Sequence, residues 1–352
     1  MNRTTPWPTY GADDARLRSV AAPGVRPPFR LLWTFHGRHL LEFPPVIGYG
    51  SVFEEVFDGR LYSLDPANGR VRWRYASHMC GWSSPALGYH LLFATFISNA
   101  ECHATRSGGE LVAFSADTGR VRWRRAIGPS ESSPVVANGT VYIGDQDGDV
   151  LAFDARSGRL RWSYDTGAPI KASPTLAYGR IYIGNYAGEM LALAAGSGRL
   201  VWHSGGYGNF YSTASVNAGR VYVGSLDDHV YAFSARSGAR LWSFGTGGYV
   251  YASPAVWRGL VLVGSYDHGF YALDGGTGSL RWRYPVSAPI SGAASVVDGL
   301  VYFSSFDRRT YALTAAGRLR QEWPDGEYSP AVAGGGRLYR VGLGRIYALA
   351  PR

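Results

Sequence analysis

Residues 141–162 read VYIGDQDGDVLAFDARSGRLRW, and they contain most of one structural unit. Two short apolar runs, ending at Gly144 and Phe153, flank a tight turn at Asp145–Asp149. A second turn of the form Asp-x-x-Ser-Gly follows, and then a strand that ends on Trp162. A fourth strand comes from the segment after each Trp, as in KASPTLA at residues 171–177, which runs into the turn Tyr178-Gly179. The unit recurs through the chain at Trp33, Trp73, Trp123, Trp162, Trp202, Trp242, Trp282 and Trp323. Successive spacings are 39 to 41 residues except between Trp73 and Trp123, where the spacing is 50. Four short antiparallel strands per repeat of about 40 residues specify a β-propeller blade.

The residue types have physical reasons. Gly69, Gly119, Gly158, Gly198, Gly238 and Gly278 fall where the turn needs a positive φ. Asp65, Asp154 and Asp274 can accept the turn's N–H groups, and the small residues after them allow neighbouring blades to approach. The Trp supplies a large plane for the seam between blades. Seven units close between Trp33 and Trp323, and residues 328–350 give strands for an eighth without a final Trp. Residues 31–35 near the N-terminus supply its missing outer strand. The expectation is an all-β, eight-bladed propeller over residues 31–352, closed on itself by that strand and leaving few exposed sheet edges.

Composition fits a folded all-β chain, with 47 glycines for the turns and no apolar run long enough to cross a bilayer. Residues 1–30 are read as an irregular arm, because residues 1–28 carry prolines and charges without a strand pattern, and this arm is expected to wrap the outside. No apolar segment follows its charges, so it does not read as a secretory signal. Either the protein stays in the cytosol or a leader has been removed. The net charge of +9 is almost all arginine, Lys171 being the only lysine. The arginines recur with the repeat, as in GRVRW at residues 69–73 and 119–123, so they read as a solvated strand face and no nucleic-acid partner is expected. A monomer is expected.

The unit DGGTGSLRW at residues 274–282, and its looser copies, resemble the tryptophan-docking repeat of the pyrroloquinoline-quinone-like propellers, from residue 31 onward. The resemblance points to the BamB-like branch. The superfamily includes quinone-dependent alcohol and sugar dehydrogenases, BamB-like lipoproteins of outer-membrane barrel assembly, and sensor ectodomains. Membership therefore implies a fold and leaves function open. Resemblance to the dehydrogenases would imply pyrroloquinoline quinone with calcium. This chain departs from them in lacking adjacent cysteines, in being much shorter, and in offering no clear calcium set with a catalytic Asp.

Function is sought where the inner strands begin. Aligning the blades gives one residue per blade at the same height: Glu42, Trp82, Glu131, Lys171, Tyr211, Tyr251, Ser291 and Glu327. This column is chemically mixed, whereas the position two residues later is mostly Ser or Thr. Three carboxylates, one lysine and three aromatics around a channel could hold an anionic or planar ligand, with Lys171 as charge partner and the rings as stacking faces. Polar side chains that merely line a water-filled channel are the alternative.

The long second blade inserts about ten residues within residues 96–108, between its second and third strands. The insert contains Cys102, while Cys80 lies two residues before Trp82. Both fall on one face, which suggests a disulfide and with it an oxidising compartment; free or buried thiols are a second reading. A zinc or copper site at His78, Cys80, Cys102 and His103 is a third, but the spacings are not those of metal motifs and no metal is assigned. The acids Asp58, Asp147, Asp227, Asp267 and Asp307 recur in the turns between second and third strands and read as turn residues; only Asp145–Asp149 leaves calcium open.

These features support a non-enzymatic binding or scaffolding propeller, extracytoplasmic if a leader was removed. Its ring-bearing face would engage a protein, peptide or small ligand. One alternative is a quinone-dependent dehydrogenase or a quinone-binding protein. Another is a cell-surface sensor or glycan-binding module, with Trp82, Tyr211 and Tyr251 as sugar-stacking faces.

Overall fold

In the computed structural model, residues 7–98 and 108–352 are described. They form eight antiparallel sheets arranged as the blades of a propeller, with no helix among the described residues. Blade 1 runs outward through Val46–Gly48, Ser51–Glu55, Arg60–Leu64 and Val71–Ala76. The same four-strand order repeats around the ring. In blade 8 the outer strand is Phe29–His36, paired antiparallel with Arg345–Pro351 so that Trp33 stands opposite Ala348. The N-terminal strand thus closes the ring.

The middle strands are buried on both faces because each sheet is sandwiched between two others. In blade 3, Val141 and Ile143 pack towards Phe93 and Trp123 of blade 2, while Tyr142 packs with Ile170 and Ile181 towards blade 4. The outer strands face water, and their arginines bridge back to the turn acids of their own blade: Arg72 to Asp65 at 2.9 Å, Arg161 to Asp154 at 2.7 Å and Arg281 to Asp274 at 2.6 Å. These carboxylates also accept turn N–H groups, and together the bonds hold Asp274 down at about 2.

The indoles dock across the seams. Trp33, Trp73, Trp123, Trp162, Trp202, Trp242 and Trp282 each donate Nε1–H to a carbonyl in the next blade's turn, at 2.9 to 3.1 Å. Each lies flat on the glycine of that turn. A Cβ added at Gly238, where φ is +75°, would stand 2.6 Å from the Trp202 ring. Trp323 differs: it packs between Phe29 and Tyr302, with ring centroids 6.3 Å from each.

The arm does not wrap the outside. Residues 7–20 run through the channel against the inner strands and use their carbonyls to satisfy N–H groups on the strand edges. Trp7, Pro8, Asp14, Ala15, Leu17 and Arg18 accept from Ile47, Leu87, Leu176, Val216, Val256 and Val296 at 2.7 to 2.9 Å. Ser19–Val20 then adds a parallel strand to blade 7. Unpaired inner-edge N–H groups buried in a channel would be costly, and the arm removes that cost without any side-chain pattern that the sequence could display.

Two arginines pin the arm. Arg16, fully buried, donates Nη2–H to the Ser133 and Pro134 carbonyls at 3.0 and 3.1 Å, Nε–H to the Pro174 carbonyl at 3.2 Å, and Nη1–H to Thr9 and the Tyr10 carbonyl. Arg18 donates to Ser215 and the Pro254 carbonyl and stacks over Tyr10 at 4.7 Å. Burial, reinforced by Arg18, pulls the Arg16 guanidinium down to about 9. Arg16→Met strands these buried carbonyls and is expected to cost at least about 2 kcal/mol in urea unfolding. Arg26→Ala removes only a surface pair with Asp298 and is expected to cost less than about 1 kcal/mol. Equal costs would mean that the arm is not docked this way.

Candidate functional site

The loops leading into the inner strands meet the turns between second and third strands at one mouth of the channel. A repeated backbone bond joins them: the N–H of Phe57, Gln146, Tyr186, Leu226, Tyr266 and Phe306 donates to the Leu40, Pro129, Pro169, Asn209, Tyr249 and Pro289 carbonyls. These six donors form a second non-repeating column that the alignment of the ring did not include. Its signal was present: Phe57, Gln146, Leu226, Tyr266 and Phe306 each precede a recurring turn acid, and the position is mostly aromatic.

The structure brings Glu42, Glu131, Lys171, Tyr211, Tyr251 and Ser291 together around one cavity, joined by Tyr328. Glu131 is its most connected member. Its carboxylate receives Lys171 Nζ at 3.0 Å, Gln146 Nε2 at 2.8 Å and the Tyr211 hydroxyl at 3.1 Å. Lys171 Nζ also lies 5.6 Å from the Tyr186 ring centroid and 5.9 Å from that of Tyr211. From Tyr211 an arc of neighbouring rings continues through Tyr251, Tyr266, Phe306 and Tyr328, with centroids 4.9 to 5.9 Å apart.

Trp82 and Glu327 lie outside the cavity wall. Trp82 hydrogen-bonds Glu42 and packs edge-on against Phe57, and Glu327 bonds Tyr328. Cys80 is buried, and no described cysteine is free. Cys102 and His103 lie outside the described residues.

The repeating column two residues on has a structural role. Ser84 N–H donates to Ser133 Oγ, Ser133 N–H to Ser173 Oγ, Ser173 N–H to Thr213 Oγ1 and Thr213 N–H to Ser253 Oγ, at 2.9 to 3.0 Å. This ladder stitches successive blades together and explains why the position repeats while the ring does not. Asp145 likewise serves its turn, accepting from Asp149 N–H and Gly128 N–H at 3.0 Å.

Glu42, Glu54 and Glu55, near the mouth, are among the carboxyls held above their ordinary range. Burial, with the Glu131 charge adding to it, raises Glu42 to about 7, while its bond to Trp82 opposes the shift. Glu54 and Glu55 of blade 1 are pushed well up by burial; both Glu54 oxygens lack a hydrogen-bond partner, and Glu55 is bonded to Ser83 at 3.3 Å. Burial also raises the Tyr211 hydroxyl, with Glu131 second.

The cavity, open at the mouth, has room of about 50 Å³ for water-sized groups. Tyr10 of the arm and Phe43, whose rings meet edge-on at 6.0 Å, form part of its wall. That space suits a few water-sized groups, against several hundred Å³ for a typical cofactor site. Among the described residues, no three His, Cys, Asp or Glu side chains gather so as to hold a metal ion. The residues present therefore do not fit pyrroloquinoline quinone with calcium. Chemically, the mouth offers aromatic faces, hydroxyls, one carboxylate–ammonium pair and one protonatable carboxyl.

Comparison with known proteins bears on the fold. Among solved structures, BamB from Moraxella catarrhalis superposes with a TM-score of 0.77 at 16% identity, covering 92% of this chain and 99% of that one. The quinohemoprotein alcohol dehydrogenase from Comamonas testosteroni gives 0.81 at 15% identity, covering 98% and 80%. The computationally designed protein Ika8 gives 0.76 at 13% identity, covering 92% and 100%. At such identities the likeness shows the fold alone. No curated protein sequence matches the chain. The model of the family described as outer membrane protein assembly factor BamB matches residues 57–221 and 226–347, and on that match, with eight quinone-type blades and docked indoles, the chain belongs to the BamB family of pyrroloquinoline-quinone-like propellers.

Proposed function

We propose that the protein is a non-enzymatic binding or scaffolding propeller whose ring-bearing mouth engages a protein, peptide or small ligand. The observation that carries this reading is the shape of the mouth. Behind it the arm and Phe43 leave a cavity of about 50 Å³, while on its rim half-buried aromatics from the two columns present a shallow surface. A shallow aromatic rim suits recognition of a partner's protruding group, whereas turnover of a bound quinone needs a deep, enclosing site. The family match supports the same direction, since its description is that of an assembly factor.

An extracytoplasmic location follows if Cys80 and Cys102 are paired, a pairing that would anchor the inserted loop beside the mouth. Peptide maps run with and without reductant are expected to show the bridged pair. Two free thiols would remove the support for an oxidising compartment.

The dehydrogenase reading makes the opposite demand on the ring. Calorimetric titration with pyrroloquinoline quinone and calcium is expected to show no saturable heat for the native protein. Saturable binding weakened by both Lys171→Ala and Glu131→Ala would place the quinone in the ring and overturn the proposal.

A further inference from the structure

Lys171 shows what the mouth can hold. Its ammonium sits between the Glu131 carboxylate, at 3.0 Å, and the faces of Tyr186 and Tyr211, at 5.6 and 5.9 Å. A carboxylate on one side and aromatic faces on the other is the arrangement that stabilises a partly desolvated ammonium.

Glu42, across the same cavity, has comparable surroundings without the cation. It shares the cavity wall with Tyr10, Tyr211, Tyr251 and Tyr328, and its charge acts on Tyr211, Tyr266 and Tyr328. The charged group that acts on Glu42 itself is Glu131, another acid, and its hydrogen bond comes from Trp82. Lys171 also lines the cavity but is engaged by Glu131. It is the only lysine in the chain, so no second lysine ammonium is available from within.

We infer that Glu42, with Tyr211, Tyr251 and Tyr328, is a receptor for one primary ammonium group carried by the ligand. The inference rests on the reading of this mouth as a binding surface and names the chemistry it would recognise. Size agrees with it. About 50 Å³ admits an ammonium and its first methylene, and is too tight for a planar cofactor. The raised Glu42 carboxyl agrees as well: a largely buried carboxyl with an acid for its charged neighbour holds its proton more tightly than a solvated one, and an arriving cation would displace it.

Two ligands carry the same head group, a lysine side chain of a partner protein and a free alkylamine. Calorimetric titration would therefore use n-butylammonium and Nα-acetyl-lysine methylamide in parallel, with the Nε-acetylated form of the latter as a neutral control. Saturable binding of n-butylammonium at pH 8 and none of the neutral control are expected. Binding of the lysine amide as well would assign the site to a protein side chain, and its exclusion would assign it to a free amine.

Glu42→Gln and Tyr328→Leu, each checked for an unchanged melting temperature, are expected to weaken binding at least fivefold. Native affinity is expected to rise roughly tenfold between pH 6 and pH 8 as the Glu42 carboxyl ionises, with Glu131, Lys171 and the tyrosines facing it, and to stay flat in Glu42→Gln. No saturable binding at pH 8, or equal binding by Glu42→Gln, would overturn the inference. That failure alone leaves the scaffold reading standing, whereas quinone binding in the ring would remove both.

Discussion

The contact on which the rest of the structure depends is an indole lying flat on a glycine of the next blade. It acts seven times, from Trp33 on Gly69 to Trp282 on Gly317, each time with the indole N–H bonded to a carbonyl of the same turn. The stacking needs a residue without a Cβ, the turn needs a positive φ, and glycine meets both demands at one position. Because every dock joins an outer strand to its neighbour's outer turn, it fixes the spacing and tilt of the blades and thereby the radius of the channel. At the one seam without such a dock, Trp323 packs against Phe29 of the closing strand and Tyr302.

With the blades held from outside, the inner edge is completed by two ladders of hydrogen bonds donated by backbone N–H groups. Ser and Thr hydroxyls link successive lead-in loops, and the arm's carbonyls take up the inner-strand N–H groups. Both ladders use chemistry that repeats, which leaves the non-repeating side chains of the mouth unconstrained by the fold. Docked by Arg16 and Arg18, the arm carries Tyr10 into the cavity wall.

The blade number, the strand order and the closure by the N-terminal strand, read as residues 31–35 and found at Phe29–His36, were all legible, because indole spacing and turn glycines are side-chain signals tied directly to the repeat. Six of the eight ring positions were also legible by alignment and line one cavity. Trp82 and Glu327 stand at the aligned height but outside the wall, where Trp82 turns to Phe57 and Glu327 to Tyr328. The arm's course was illegible for a physical reason: it is held by main-chain carbonyls at irregular intervals and by two arginines whose burial no local pattern announces. The aromatic column was masked at Tyr266 and Phe306 by the turn acids Asp267 and Asp307 that follow them, which repeat while the column does not, and at Tyr186 no acid follows to mark the position.

The dependence of the ring on the docked indole can be measured by a double-mutant cycle on Trp202 and Gly238, read by urea unfolding. Trp202→Ala is expected to cost about 3 kcal/mol or more. Gly238→Ala in the native background bears both the positive φ and a Cβ 2.6 Å from the indole. Without the indole only the backbone cost of about 1 to 2 kcal/mol should remain. The account predicts a coupling energy of at least about 1 kcal/mol, whereas costs that add to within about 0.5 kcal/mol would contradict it.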